Sequence, residues 1–280
     1  MLSIKEQLAL LYCFSDDFFQ QQQNQGQWRC SNNCPKFTDA EVITVALMLG
    51  YFQTASLKRA YLLVRANDPG AFPQICGYKQ WVARLHALTT QMGQMGIRVA
   101  LPGEAADDWY LIDSLPIRMC KPIRHGRVLL LRDECAYFGK SSTGWFFGFK
   151  LHVLATRTGQ IIGAVFTPGN YDDREGARML AEWMENGSLC LGDLGYRGED
   201  FQREMFEEEE VLFVTRADMD EQRLKEIHST VRIRIETVFS GLWSRCATRV
   251  LSRSWLGLWN TLQLKMLDYK LCHAGIIPAA

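Results

Sequence analysis

The sequence has no apolar run long enough to span a bilayer. The longest, Val42 to Phe52, is interrupted by Thr44 and Gly50, whereas a spanning helix needs about 20 residues. No secretory leader is visible: the N-terminus reads MLSIKEQLALLY, with an acid at Glu6 and no small-residue cleavage site. Together these absences predict a soluble, cytoplasmic protein. No CxxC pair occurs among the nine cysteines, and their odd number and scattered spacing define no disulfide framework. Cys30 with Cys34, and Cys272 with His273, can be imagined as parts of a zinc site. Small core residues are the better reading of them. There is no internal repeat, and the only biased tract is the short Gln-rich stretch near Gln20 to Gln27.

Net charge is also missing. Lys plus Arg number 31 and Asp plus Glu number 31, and a protein that coats nucleic acid usually carries a basic excess. The balance is a cancellation, however. Residues 51–100 hold six bases and one acid, and residues 118–132 hold five bases (Arg118, Lys121, Arg124, Arg127, Arg132) and no acid. Residues 172–221 hold 16 acids and five bases, and residues 222–280 hold nine bases and three acids. Any one run reads as a solvated face, but three basic stretches together can present a phosphate-binding surface.

Residues 1–100 have helical periodicity. Ser3 and Glu6 have capping-box spacing, and Ile4, Leu8, Leu11 and Tyr12 give the first helix an apolar face. Thr38-Asp39-Ala40-Glu41 opens a second helix whose continuation, VITVALML, is apolar almost all round and so predicts burial. Gly50 marks either its end or a close-packing point. Further helices are predicted over Ala55–Arg65 and Tyr78–Thr90. A basic helical unit fits a DNA reader and fits a structural domain nearly as well. Residues 101–108 read as a linker, so the division is a helical region over 1–105 and a second domain over 106–280.

In the second domain the pattern turns to strands. Trp109–Ile112 predicts a strand ending at Asp113, and Phe147–Val153 with Ile161–Phe166 predicts a hairpin about Arg157-Thr158-Gly159-Gln160. A helix over Asp172–Glu185, a buried strand at Leu189–Leu191, a helix over Gly198–Glu208 and a strand at Val211–Val214 follow. The last predicted helix, Asp220–Leu242, has Leu224, Ile227, Val231, Ile235, Val238 and Leu242 at helical spacing. The fold class is therefore α/β: a mixed β-sheet with flanking helices, which resembles the ribonuclease H-like arrangement, after an all-helical N-terminal region.

Three carboxylates stand out. Asp113 and Asp193 each follow a buried strand, where an unpaired charge is costly and usually meets a cation. Glu236 lies beside the apolar stripe of the last helix. Three such acids suit two hard divalent cations, which can stabilise both oxygens of an in-line phosphoryl transfer. Turn capping by the two aspartates, and an Arg232–Glu236 pair one helical turn apart, account for the same residues slightly better on spacing alone.

The surrounding motifs go further. They are Leu111-Ile112-Asp113-Ser114 with Pro116, Gly148-Phe149-Lys150-Leu151-His152, Thr167-Pro168-Gly169-Asn170, Gly192-Asp193-Leu194-Gly195-Tyr196-Arg197 and Arg232-Ile233-Arg234-Ile235-Glu236-Thr237-Val238-Phe239. In this order they resemble bacterial insertion-sequence transposases of the DDE class, most closely the family numbered nine-eighty-two. The resemblance implies Asp113, Asp193 and Glu236 as catalytic metal ligands, binding Mg²⁺ or Mn²⁺ as two ions. It implies Arg232, Tyr196, Arg197 and Lys150 as accessory or DNA-binding positions. The implied partners are the element's terminal inverted repeats and target DNA, with a homodimer or larger assembly at synapsis. Many such enzymes have Lys or Arg seven residues after the glutamate; here that residue is Trp243, and the nearest base is Arg245. A nuclease of the same fold without strand transfer, and a non-catalytic DNA-binding remnant, are the alternatives.

Overall fold

The computed structural model describes residues 2–28, 35–99, 109–127, 131, 136–141, 144–245, 247–248 and 251–278. The expected linker at 101–108, Cys30, Cys34 and Arg132 lie outside these residues, as do the side chains of Leu224 and Ile227. Among the described residues, no helix is long and apolar enough to cross a membrane. Cys190 is buried, but Cys13 is exposed and Cys76, Cys120 and Cys272 are partly so, so the cysteines are not uniformly core residues.

The chain divides into two compact units. The first comprises Met1–Val99, Ser244–Ala247 and Leu251–Ala280. Its helices are α1 (Ile4–Asn24), α2 (Asp39–Tyr51), α3 (Leu57–Asn67), α4 (Tyr78–Ala87), α5 (Thr89–Arg98) and, from the far end of the chain, α9 (Trp255–His273). Capping boxes at Ser3–Glu6 and Thr38–Glu41 start α1 and α2. Helix α2 is buried from Asp39 through Gly50 except at Glu41. It packs against α1, α3, α4 and α9. The sequence carries Tyr78 to Thr90 as one helix, whereas α4 ends at Ala87, Leu88 caps it, and α5 begins at Thr89, burying Met92 and Met95.

Helix α9 is the larger departure. The sequence assigns residues 106–280 to a single domain, yet α9 packs within the helical unit. Its burial gives the reason. From Gly257 to Leu271 only Trp259 and Gln263 are not buried, so the helix needs neighbours on every side, and α2, α4 and α5 supply them.

Gly50 is a close-packing point rather than a helix end. A Cβ there would collide with the Asp268 carboxylate of α9. That carboxylate accepts from Arg245 Nε at 2.5 Å and is 5% exposed. Gly50→Ala is therefore expected to lower stability by about 1–3 kcal/mol, read as a lower urea midpoint at unchanged slope.

The second unit, Ala100–Trp243 with Thr248–Val250, holds a six-stranded sheet of order β2-β3-β1-β5-β6, with β4 also paired to β3. The strands are β1 (Trp109–Cys120), β2 (Tyr137–Ser141), β3 (Gly144–Thr156), β4 (Ile161–Pro168), β5 (Leu189–Leu191) and β6 (Leu212–Val214). Helices α6 (Asp173–Leu180), α7 (Glu199–Glu209) and α8 (Gln222–Ser244) complete it. Strands β1, β5 and β6 are parallel, and the β1, β2, β3 and β4 pairings are antiparallel. Tyr110, Ile112, Leu154, Leu180, Cys190 and Phe213 belong to the core that α6 and α7 cover.

Strand β1 does not end at Asp113. It pairs with β3 from Tyr110 to Cys120. Its other neighbour, β5, pairs only Trp109 to Leu111, so Pro116 lies beyond that ladder and its missing N–H is tolerated there. Strand β3 is the organising element. One edge meets β1, while the opposite edge is shared, with β2 taking Gly144–Gly148 and β4 taking Phe149–Ala155. Where β2 and β4 meet, three glycines crowd together. Cβ atoms on Gly139, Gly148 and Gly169 would strike the carbonyl oxygens of Gly169, Ile117 and Tyr137 respectively.

Candidate active site

Leu111 of β1 and Leu191 of β5 are registered partners on parallel strands. Asp113 and Asp193 each lie two residues further along. Two carboxylates separated by 80 residues of sequence thus sit at equivalent heights beside a sheet, at the carboxyl end of its short parallel ladder, where α/β folds place ligands.

Local geometry holds each acid. Strand β5 stops at Leu191, and Asp193 caps a short 3₁₀ turn, its Oδ1 accepting from the Gly195 N–H at 2.8 Å. Asp113 Oδ1 accepts from the Ser114 N–H at 2.7 Å, and its Oδ2 accepts from Arg232 Nη2 at 3.1 Å. Burial pushes the Asp113 carboxyl up to about 6, against the opposing pull of Arg232 and the Ser114 N–H. The charges of Asp193 and Asp173 push it the same way.

Asp173 is the acid that sequence reasoning missed. It opens α6, where an acid is already accounted for by the helix dipole, and nothing in its spacing separates it from Asp172. The two behave differently. Asp172 caps the helix and pairs with Arg174, whereas Asp173 Oδ1 accepts from Lys150 Nζ at 3.0 Å. Oxygens of Asp173 and Asp193 both stand within 3.0 Å of where a Cβ on Gly195 would be, which makes glycine the residue that fits between them. A cavity of about 640 Å³ is lined by Asp113, Asp173, Asp193, Lys150, Arg118 and Lys140, with Phe239 and Trp243 from α8.

Glu236 is placed differently. It is exposed on α8 and makes no hydrogen bond or ion pair among the described residues. It shares a helical face with Arg232, Phe239 and Trp243, at spacings of four, three and seven residues, but of these four only Phe239 and Trp243 line the cavity. The Arg232–Glu236 pair that spacing allows is not formed, because Arg232 turns to Asp113 instead. Among the described residues, no three His, Cys, Asp or Glu side chains gather closely enough to hold a metal ion.

A family model described as the transposase DDE domain matches residues 104–249, just over half of the chain. The chain belongs to the transposase DDE domain family. That makes it a nucleic-acid-processing enzyme, with DNA as its partner. No curated protein and no solved structure matches the chain significantly.

The accessory positions of this transposase domain take distinct surroundings. Lys150 bridges Asp173 and the Tyr171 carbonyl, the latter at 2.8 Å. Arg197 is 60% exposed and lies 3.6 Å from Asp218. Tyr196 is buried, stacks on Phe213 with ring centroids 6.5 Å apart, and its hydroxyl has no hydrogen-bond partner among the described residues. His152 is fully buried, its Nε2 at 2.7 Å from Thr167 Oγ1, and burial pushes it down to about 4, so the ring is neutral. Trp243 is 60% exposed at the cavity. Arg245 is paired with Asp268 in the helical unit, so it does not take over as a free cation.

Proposed function

We propose that the chain is the transposase of a bacterial insertion sequence of the kind numbered nine-eighty-two, with a ribonuclease H-like catalytic domain. The reading rests chiefly on one observation: Asp113 and Asp193 stand two residues beyond the registered pair Leu111–Leu191 and share a cavity with basic side chains. Hard oxygen donors suit Mg²⁺ or Mn²⁺. The fit of this site to such a cation is carried by the two aspartates and by the raised Asp113 carboxyl, whose charge is disfavoured first by burial and then by the neighbouring acids Asp193 and Asp173, and which a cation would favour. Glu236, one turn beyond Arg232, is the third proposed ligand, and the family pattern calls for two ions. When bound, the metal supplies Lewis-acid stabilisation of phosphoryl oxygens.

The chain's own residues do the rest. Arg232 neutralises part of the Asp113 charge and orients its Oδ2. Lys150, held by Asp173, faces the cavity and offers a cation to a phosphate. Arg197 offers a second and Tyr196 packs the Asp193 turn from beneath. In the first step water attacks an element-end phosphodiester, a new P–O bond forms, and the 3′-oxygen leaves with a proton. That 3′-hydroxyl then attacks a target phosphodiester, exchanging one P–O bond for another. No covalent enzyme–DNA bond forms. The helical unit would bind the terminal inverted repeats, and joining two ends calls for a dimer or larger assembly.

The test is metal-dependent cleavage and joining on a duplex bearing the inverted repeats that flank the gene. Asp193→Ala is expected to abolish both products. Retained Mg²⁺-dependent cleavage would sink the proposal, and cleavage without joining by the unaltered protein would favour a nuclease.

A further inference from the structure

The 3₁₀ turn Pro122–Arg127 after β1 carries Arg124, His125 and Arg127 and no acid, is exposed from Ile123 onward, and one contact set fastens it to the sheet. The His125 ring lies 4.7 Å from the Phe138 ring and 5.8 Å from that of Phe147, and Phe138 and Phe147 are 5.3 Å apart. His125 Nδ1 is also 3.0 Å from the Pro122 carbonyl oxygen. Phe138 and Phe147 are cross-strand partners, and the next pair with the same side-chain orientation is Lys140 with Trp145. One face of the β2–β3 ribbon therefore carries an aromatic cluster, then a lysine, then a tryptophan.

This face is open. Trp145 is 64% exposed and Phe138 is 36% exposed, and Trp145 has no ring partner among the described residues. Lys140 stands on this face, and the adjoining residues 118–127 contain Arg118, Lys121, Arg124 and Arg127 and no acid. Lys121, Arg124 and Arg127 are exposed and have no ion-pair partner among the described residues. Lys140, the cross-strand partner of Trp145, also lines the acidic cavity, so the ribbon and the cavity meet at that side chain.

Exposed rings set among unpaired cations match single-stranded nucleic acid, whose bases stack on the rings while its phosphates meet the bases of the protein. A protein partner would more often cover a larger apolar patch ringed by charges of both signs. We propose that the β2–β3 ribbon with the Pro122–Arg127 turn is a platform for a single DNA strand leaving the acidic cavity. An unpaired base stacks on Trp145, and Lys121, Arg124 and Arg127 hold the following phosphates. The placement rests on the transposase reading; the stacking surface does not.

The experiment measures binding of the full chain, in EDTA, to a fluorescent oligothymidine of about 20 nucleotides and to a duplex of the same length. Trp145→Ala is expected to weaken oligothymidine binding about fivefold or more and to leave duplex binding nearly unchanged. Trp145→Phe should restore most of it, since a ring remains. Arg124→Ala with Arg127→Ala should weaken both and flatten the salt dependence by about one to two counterions. Unchanged oligothymidine affinity in folded Trp145→Ala overturns the platform, whatever the cleavage assay gives. Equal losses on both probes also overturn it, because stacking on a base requires an unpaired one. Selective loss in a protein that shows no metal-dependent cleavage upholds the platform and overturns the transposase chemistry alone.

Discussion

Asp113→Asn is expected to yield a protein that is more stable at neutral pH and has lost its chemistry. The carboxyl titrates near 6 in the fold because burial disfavours its charge, against about 4 in an unfolded chain. A raised carboxyl stabilises the fold only while it is protonated. Its contribution is complete below about pH 4 and disappears as the pH rises through about 6. The asparagine variant never carries the charge. Its advantage over the aspartate should therefore be absent near pH 4, grow between pH 4 and 6, and level off at about 1–3 kcal/mol above that. The side chain is one-fifth exposed and Arg232 loses its partner, so the gain should fall in the lower part of that range. Urea titrations at pH 4 and pH 7 measure it. Cleavage of element-end DNA should fall by a factor on the order of 10³ or more. If Asp113 were only a structural partner of Arg232, the variant would be less stable at both pH values.

Gly148→Ala should cause the largest loss of stability. Gly148 has φ +155° in the middle of β3, and a Cβ there would run into the Ile117 carbonyl of β1. The strand cannot shift outward, because β2 and β4 meet on its other edge beside Gly139 and Gly169. Strain and overpacking together are expected to cost on the order of 3–5 kcal/mol. Amide exchange should show the loss in β1 and β3 and spare α2 in the other unit. Gly144→Ala is the control. Its φ is +110°, but nothing lies within 4 Å of a Cβ, so only the backbone penalty of about 1–2 kcal/mol remains.

What the sequence reveals of the site, and what it hides, divides along physical lines. Asp113 and Asp193 are visible because an apolar strand ending in an acid is an energetic anomaly that spacing cannot disguise. Their registration across Leu111–Leu191 is a property of strand pairing and leaves no trace in either segment. Asp173 stays hidden because an acid at a helix start already has an explanation, and only its contact with Lys150 shows a different use. Glu236 stands out by its place beside the apolar stripe and by motif, but that stripe does not encode its exposed position on α8 away from the cavity. Strand β2 is missed because Tyr137–Ser141 lacks alternation, being held by the packing of Gly139 against Gly169 rather than by an apolar face. Helix α9 is not among the predicted helices, and chain adjacency places its residues with the sheet domain, whereas they pack in the helical unit.

That last helix sets an order on synthesis. The buried faces of α2 and α5 are completed by Leu264, Leu267 and Leu271, residues that are made only after the whole sheet unit has been translated. Until they emerge, the first hundred residues leave the ribosome with an unsealed apolar groove, so the earliest-made unit is the last to finish folding. A ribosome stalled within the sheet would display a part-built helical unit that chaperones can hold, and release of residues 255–273 would be the event that closes it.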